Sequence, residues 1–322
     1  MKKTISFMMR LGIIFLILGL LTTGVQAEDD VIGVEEEEAD YTIGFIVKTM
    51  ANPYFARMKE GAEEAALDFN ITLNWVSAQE HTDSEGQLNL VEDMIQREVD
   101  ALVINPVGPS AIVPAINKAN EQGIPVVIVD TTAEGGEIVT FVGMDNVDAA
   151  GEMAEYVAKE LNEKGKIAIL EGVRGHSTAE ERIVGYNDVI DQYPGLEVVA
   201  SQAANYDRAE GMRVTENFLT SNPDLDLIIS SNDEMGLGAI RAIMASGRQN
   251  QVQVVGFDAI DDALEAVKNG EMLATVESVP DRQAYESVKA AVDYLDGKEV
   301  PSEIIVPAVI VDQSNVDEFL DD

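Results

Sequence analysis

Four polar residues, each standing at the end of a short apolar run, constrain this chain more than any other feature. Asn105 ends the run 101–104 and Asp130 ends 126–129; Asn232 follows 227–231 and Asp258 follows 254–257. The two members are 25 residues apart in the first pair and 26 in the second. Short apolar runs of this kind read as parallel strands buried on both faces. In open α/β sheets, ligands bind just beyond the carboxyl ends of such strands. The chain therefore reads as two similar α/β halves, each aiming one amide and one carboxylate at a shared space. Any one of these residues, taken alone, is equally well explained as a helix N-cap. The mirrored pairs are harder to explain that way, because they require two coincidences.

The rest of the chain keeps the same rhythm. From Tyr41 onward, apolar runs of strand length alternate with stretches of helical period. Over 53–69, Phe55, Met58, Ala62, Ala65, Ala66 and Phe69 form one stripe behind a Pro53 that opens the helix. Helices are expected at 84–97, 110–122, 147–162, 178–192, 208–220, 234–246, 260–268 and 281–296. Strands are expected between them, with two short apolar stretches near 303–306 and 308–312. Such alternation implies doubly wound parallel sheets with helices on both faces. About 280 residues is too long for one typical core and suits two lobes. The expected division is 41–143 plus 279–306 for an N-terminal lobe, and 144–278 plus 307–322 for a C-terminal lobe. The crossings, near 143, 278 and 306, form a three-segment hinge.

Residues 1–27 stand apart from the fold. Lys2, Lys3 and Arg10 precede an apolar run over 11–21, and Ala27 supplies a small residue for cleavage. This is the pattern of a secretory signal peptide. The run is short for a membrane span of about 20 residues. Residues 28–40, with four consecutive Glu at 35–38, read as an acidic, disordered leader. There is no cysteine, which excludes disulfides, thiolate-held metals and a lipid-anchoring cysteine after the signal. The net charge is −38, or about −41 without the signal. So acidic a surface excludes nucleic acid and anionic membranes as partners. It points to a saline habitat, the alternative being an ordinary acidic exported protein.

Catalytic patterns are scarce. His176 and Ser177 are neighbours, but no nucleophile elbow accompanies them. Gly236-Leu237-Gly238 begins like a dinucleotide fingerprint, yet Arg241 replaces its last glycine, so helix packing is the better reading. Asp261 and Asp262 lack calcium-loop spacing and suit a helix N-terminus. No enzyme activity, metal or cofactor is expected. Asn52-Pro53-Tyr54-Phe55 differs from these. It puts two aromatics at a helix start beside the strand ends, where they can pack in the core or cover a sugar ring.

Together these landmarks resemble the sugar-binding periplasmic proteins of the type I fold, ribose binders among them, and the related effector halves of lactose-repressor-type regulators. Asn52-Pro53-Tyr54-Phe55, Ile104-Asn105-Pro106, Glu181-Arg182, Tyr206-Asp207-Arg208, Asn232-Asp233-Glu234-Met235 and Gly256-Phe257-Asp258 carry the likeness, which runs from 41 to 311. It implies that Asn52, Asn105, Asp130, Arg182, Asn232 and Asp258 bond sugar hydroxyls, with Arg182 between the two acids. Tyr54, Phe55 and Tyr206 would stack on or wall in the ring. Thr131 and Ser278 depart from the ribose pattern, which carries Arg and Gln there. They open the site to another pentose, a hexose or a polyol. The resemblance further implies a soluble periplasmic monomer that is not a lipoprotein and serves an ABC importer. Its partners would be one monosaccharide or polyol, a membrane permease and, as a second candidate, a chemoreceptor. The alternative is a receptor reporting sugar to a chemoreceptor or sensor kinase.

Overall fold

The computed structural model describes residues 30–32 and 39–320. The expected signal peptide lies outside these residues, as does most of the expected leader. In the N-terminal lobe, β1 (Asp30–Ile32), β2 (Thr42–Val47), β3 (Thr72–Ser77), β4 (Ala101–Ile104), β5 (Val126–Val129) and β6 (Thr140–Gly143) alternate with α1 (Pro53–Asp68), α2 (Ser84–Gln96) and α3 (Val113–Glu121). The C-terminal lobe runs α4 (Asn146–Glu160), β7 (Gly165–Glu171), α5 (Ser177–Ile190), β8 (Leu196–Ala203), α6 (Arg208–Ser221), β9 (Leu227–Ser230), α7 (Asp233–Ala245), β10 (Gln253–Val255), α8 (Asp261–Lys268) and β11 (Ala274–Glu277). Then α9 (Pro280–Leu295) and β12 (Glu303–Ile305) return to the first lobe, and β13 (Val309–Asp312) to the second.

The first sheet has the order β1-β3-β2-β4-β5-β6-β12 and the second β13-β11-β10-β9-β7-β8. All pairings within them are parallel except β1 with β3 and β11 with β13. The chain passes between sheets after β6, β11 and β12. Central strands such as β4, β5 and β9 are buried at every position. This explains why they read as unbroken apolar runs.

Local chemistry sets the helix starts and contacts. Asn52 caps α1 by accepting from the Tyr54 N–H, and Pro53 occupies the first turn, where a missing N–H loses nothing. The helix expected over 110–122 begins only at Val113, which puts Pro114 in its first turn for the same reason. Gly238 does pack helices: α7 lies so close to α6 that a Cβ there would strike the Arg208 carbonyl. Gly61 does the same between α1 and the Asp281 backbone at the start of α9. Asp261 and Asp262 lie in the first turn of α8. One departure concerns the leader. Asp30–Ile32 pairs with β3, Asp30 opposite Trp75 and Ile32 opposite Leu73. The pairing covers backbone groups that β3 would otherwise leave open at the sheet edge.

Candidate functional site

The carboxyl ends of the two sheets face each other, and the polar strand-end residues meet between them. One pocket lies there. Eight of the sequence-predicted residues line it: Asn52, Tyr54, Phe55, Asp130, Arg182, Tyr206, Asn232 and Asp258. Three do not. Asn105 lies behind Asp130, donating from Nδ2 to its Oδ2 at 2.7 Å and to the Val129 carbonyl at 3.1 Å. Thr131 is fully buried and turned toward its neighbours rather than the pocket. Ser278 is buried at the crossing, its carbonyl accepting from Gln283.

Lys48, His81 and Thr178 line the pocket without having been singled out. Lys48 had a legible signal: it stands directly after the apolar run of β2, as Asn105 and Asp130 stand after theirs. His81 and Thr178, in a loop and in the first turn of α5, carry no comparable mark.

Each lobe contributes one cation paired with one carboxylate. In the N-terminal lobe, Lys48 Nζ donates to Asp130 Oδ2 at 3.3 Å and to Thr131 Oγ1 at 2.5 Å. The same carboxylate accepts from Thr131 Oγ1 at 3.0 Å and from the Tyr54 hydroxyl at 3.0 Å. In the C-terminal lobe, Arg182 Nη1 stands 3.6 Å from Asp258 Oδ1. Its guanidinium also donates to Asn146 Oδ1 and the Ser231 carbonyl, and lies 3.6 Å above the Phe257 ring. Arg182 acts on both acids, Asp258 and Asp130. Arg182 is held to its own lobe by these partners, and Lys48 pairs with Asp130.

Both carboxylates sit on strained backbone, with φ of 61° at Asp130 and 114° at Asp258. Aspartate tolerates the left-handed region better than most residues, and such strain clusters at ligand sites. Their ionisation differs. Burial raises the Asp130 carboxyl, but Lys48, Arg182 and the bonds from Asn105 and Thr131 outweigh it and hold it below its usual value. Burial pushes Asp258 up to about 7, and Arg182 only partly opposes this. Burial also lowers the Lys48 ammonium, with Asp130 pulling the other way.

The aromatics wall the space. Tyr54 meets Phe55 edge-on at 5.1 Å, and the Tyr206 hydroxyl lies 3.2 Å from Thr178 Oγ1. Across the lobes, His81 packs on Tyr206 at 5.4 Å, and within the C-terminal lobe Tyr206 packs on His176 at 6.2 Å. The Thr132 N–H donates to Ser177 Oγ at 3.0 Å, and Arg57 of α1 reaches Glu277 and the Ala259 carbonyl. Asn232 caps α7 with Oδ1, while its buried Nδ2 has no partner within the protein. Among the described residues, no group of three His, Cys, Asp or Glu is placed to hold a metal, and no helix is long and apolar enough to cross a membrane.

Known proteins are similar to this chain in sequence and fold. The ribose import binding protein of Bacillus subtilis (strain 168) is 39% identical over 307 residues, covering 95% of this chain and 98% of that protein. A solute-binding protein of an ABC transporter from Actinobacillus succinogenes, solved with bound D-allose, superposes with a TM-score of 0.83 at 34% identity, covering 87% of this chain and all of that one. One from Bacillus halodurans, solved with bound myo-inositol, gives 0.82 at 36% identity, with 88% and 98% covered. The periplasmic binding protein domain matches residues 43–299. Two lobes on parallel sheets, a polar pocket at their facing strand ends and this match make the chain a member of the periplasmic binding protein family.

Proposed function

We propose that this chain is an exported solute-binding protein that encloses one neutral monosaccharide or polyol between its lobes, leaves it chemically unchanged and presents it to an ABC importer. The observation that carries this reading is the composition of the pocket. Two cations face two carboxylates, so the site offers strong donors and acceptors of opposing charge beside aromatic walls. Carboxylates accept from hydroxyls, guanidinium and ammonium donate to them, and amides do both. A neutral polyhydroxylated molecule uses all of these, and apolar C–H faces suit Tyr and Phe. Residues 1–27 would direct export, and the absence of cysteine favours a form free in the periplasm over a lipid-anchored one.

Isothermal titration calorimetry of the mature protein against monosaccharides and polyols tests the proposal. One site per chain is expected, with a Kd near micromolar or tighter, about −8 kcal/mol. Mass spectrometry should recover the bound molecule intact. A melting temperature that responds only to amino acids or metal ions would overturn the sugar reading.

A further inference from the structure

Arg57 stands on α1, away from the residues that line the pocket, and ties the two lobes together. Its Nη1 donates to Glu277 Oε2 at 3.0 Å and to the Ala259 carbonyl at 3.3 Å, and its Nη2 donates to Asp281 Oδ1 at 3.2 Å. Asp281 belongs to the same lobe as Arg57. It lies in the first turn of α9, which packs on α1 so closely that a Cβ at Gly61 would strike the Asp281 carbonyl. Ala259 and Glu277 belong to the other lobe. Ala259 directly follows Asp258, and Glu277, the last residue of β11, pairs with Asp258 across the sheet. One guanidinium therefore holds both the turn that carries Asp258 and the strand end beside it. Those segments are strained, with φ of 51° at Ala259 and 50° at Val279, a region that alanine and valine rarely adopt. Glu277 Oε1 accepts from the Val279 N–H at 2.6 Å, so the carboxylate that meets Arg57 also fixes the crossing after β11. Glu277 is almost wholly buried, whereas Arg57 stays partly exposed. Burial raises the Glu277 carboxyl, and Arg57 is the main group opposing it. Arginine suits this task, because its planar fork can serve a carboxylate and a carbonyl at once.

Resting on the function proposed above, we infer that Arg57 is a positioning residue for binding: without touching the ligand, it clamps the closed lobes together through Glu277 and Ala259 and so fixes the backbone that presents Asp258. Its bonds divide by lobe. When the lobes part about their crossings, the bonds to Glu277 and Ala259 break and the bond to Asp281 stays, which keeps the guanidinium at the seam. The clamp exists only in the closed state, so a ligand entering an open cleft does not meet it. It slows release and leaves entry alone. Because it does not touch the ligand, it acts equally on every ligand that the pocket accepts.

The test uses three variants. Arg57→Met removes the donors, Glu277→Gln removes the charge but keeps an acceptor for the Val279 N–H, and the double variant leaves neither charge of the pair unmatched. Circular dichroism checks that each is folded; should Glu277→Gln fail to fold, Arg57→Met and the double variant decide. All are titrated with D-ribose, D-allose, myo-inositol and xylitol, and stopped-flow fluorescence gives kon and koff for those that bind. Each single variant should bind at least threefold more weakly, by the same factor within twofold for every ligand. The loss should lie in koff, with kon within twofold of the wild type. The double variant should be no more than twofold weaker than the weaker single one, because both changes remove the same interaction. A residue that only supports the fold would lower the melting temperature and leave koff where it was. A koff raised less than threefold, a loss carried by kon, a loss that differs more than twofold between ligands, or single losses that multiply in the double variant would each overturn the clamp while leaving the sugar reading intact. A wild type that binds none of the panel would overturn that reading and this inference with it.

Discussion

The two half-sites share one plan and differ in how far the protein itself satisfies them. In the N-terminal lobe, four donors converge on Asp130, which stays ionised below the usual carboxylate range. In the C-terminal lobe, Asp258 has one guanidinium at 3.6 Å, its pKa is pushed up to about 7, and the neighbouring Asn232 Nδ2 has no partner. A buried carboxylate is kept charged by the donors aimed at it, not by its position at a strand end. Asp130 is nearly saturated by donors of its own lobe, whereas Asp258 and Asn232 keep an open acceptor and an open donor that a hydroxylated molecule can fill. The same residue type at mirrored positions therefore has a structural weight in one lobe and a binding weight in the other.

The largest test of this contrast is stability. Asp130→Ala leaves the Lys48 ammonium buried without its carboxylate, and breaking such a pair from one side costs about 3–5 kcal/mol. Urea unfolding of the unliganded protein should show that loss. Asp258→Ala should cost clearly less, because Arg182 keeps Asn146, the Ser231 carbonyl and the Phe257 face. Equal losses would break the comparison.

The next effect is on affinity and runs the other way. Asp258→Asn removes an acceptor that the ligand would engage. A hydrogen bond to a charged group contributes roughly 1.5–3 kcal/mol, so calorimetry should find binding weakened about ten- to a hundredfold. A variant that binds its sugar as tightly as the wild type would place the open acceptor elsewhere.

The smallest effect concerns the seam where the lobes meet. Burial, reinforced by Lys48, lowers His81 to about 4 and His176 to about 3 from the ordinary 6.5. Between these values the unfolded chain binds protons that the folded one does not. The stability these imidazoles contribute is therefore present above pH 6.5 and lost as pH falls through about 4 and then about 3. Asp258 has the opposite sign: its raised pKa favours folding below the unfolded value of 3.8, and that contribution disappears as pH rises through about 7. His81→Phe with His176→Phe should flatten the fall of melting temperature between pH 6.5 and 4 by a few degrees. Asp258→Asn should instead raise stability relative to the wild type as pH rises from 4 to 7. Identical pH profiles in all three proteins would show that neither seam nor half-site titrates as its burial implies.

Much of the fold was legible because the signals behind it are local. Apolar runs of strand length, a proline opening α1 and helix-period stripes each lie within a few residues, and the structure has strands and helices where they stand. The strand-end residues were legible for the same reason, and eight of the eleven expected site residues line the pocket. Asn105, Thr131 and Ser278 do not, and Lys48 does. The sequence by itself determined the alternation of elements, the two-sheet architecture and the placing of Asn, Asp and Lys at carboxyl ends of buried strands. Only the tertiary structure decided which of them pair. Lys48 and Asp130 are 82 residues apart and meet because β4 is seated between β2 and β5. The left-handed backbone at Asp130 and Asp258 then turns the carboxylates to different partners. Periodicity reflects burial along one element, whereas a hydrogen bond at the site depends on the register of strands paired across the chain and on a backbone conformation that no local run of residues encodes.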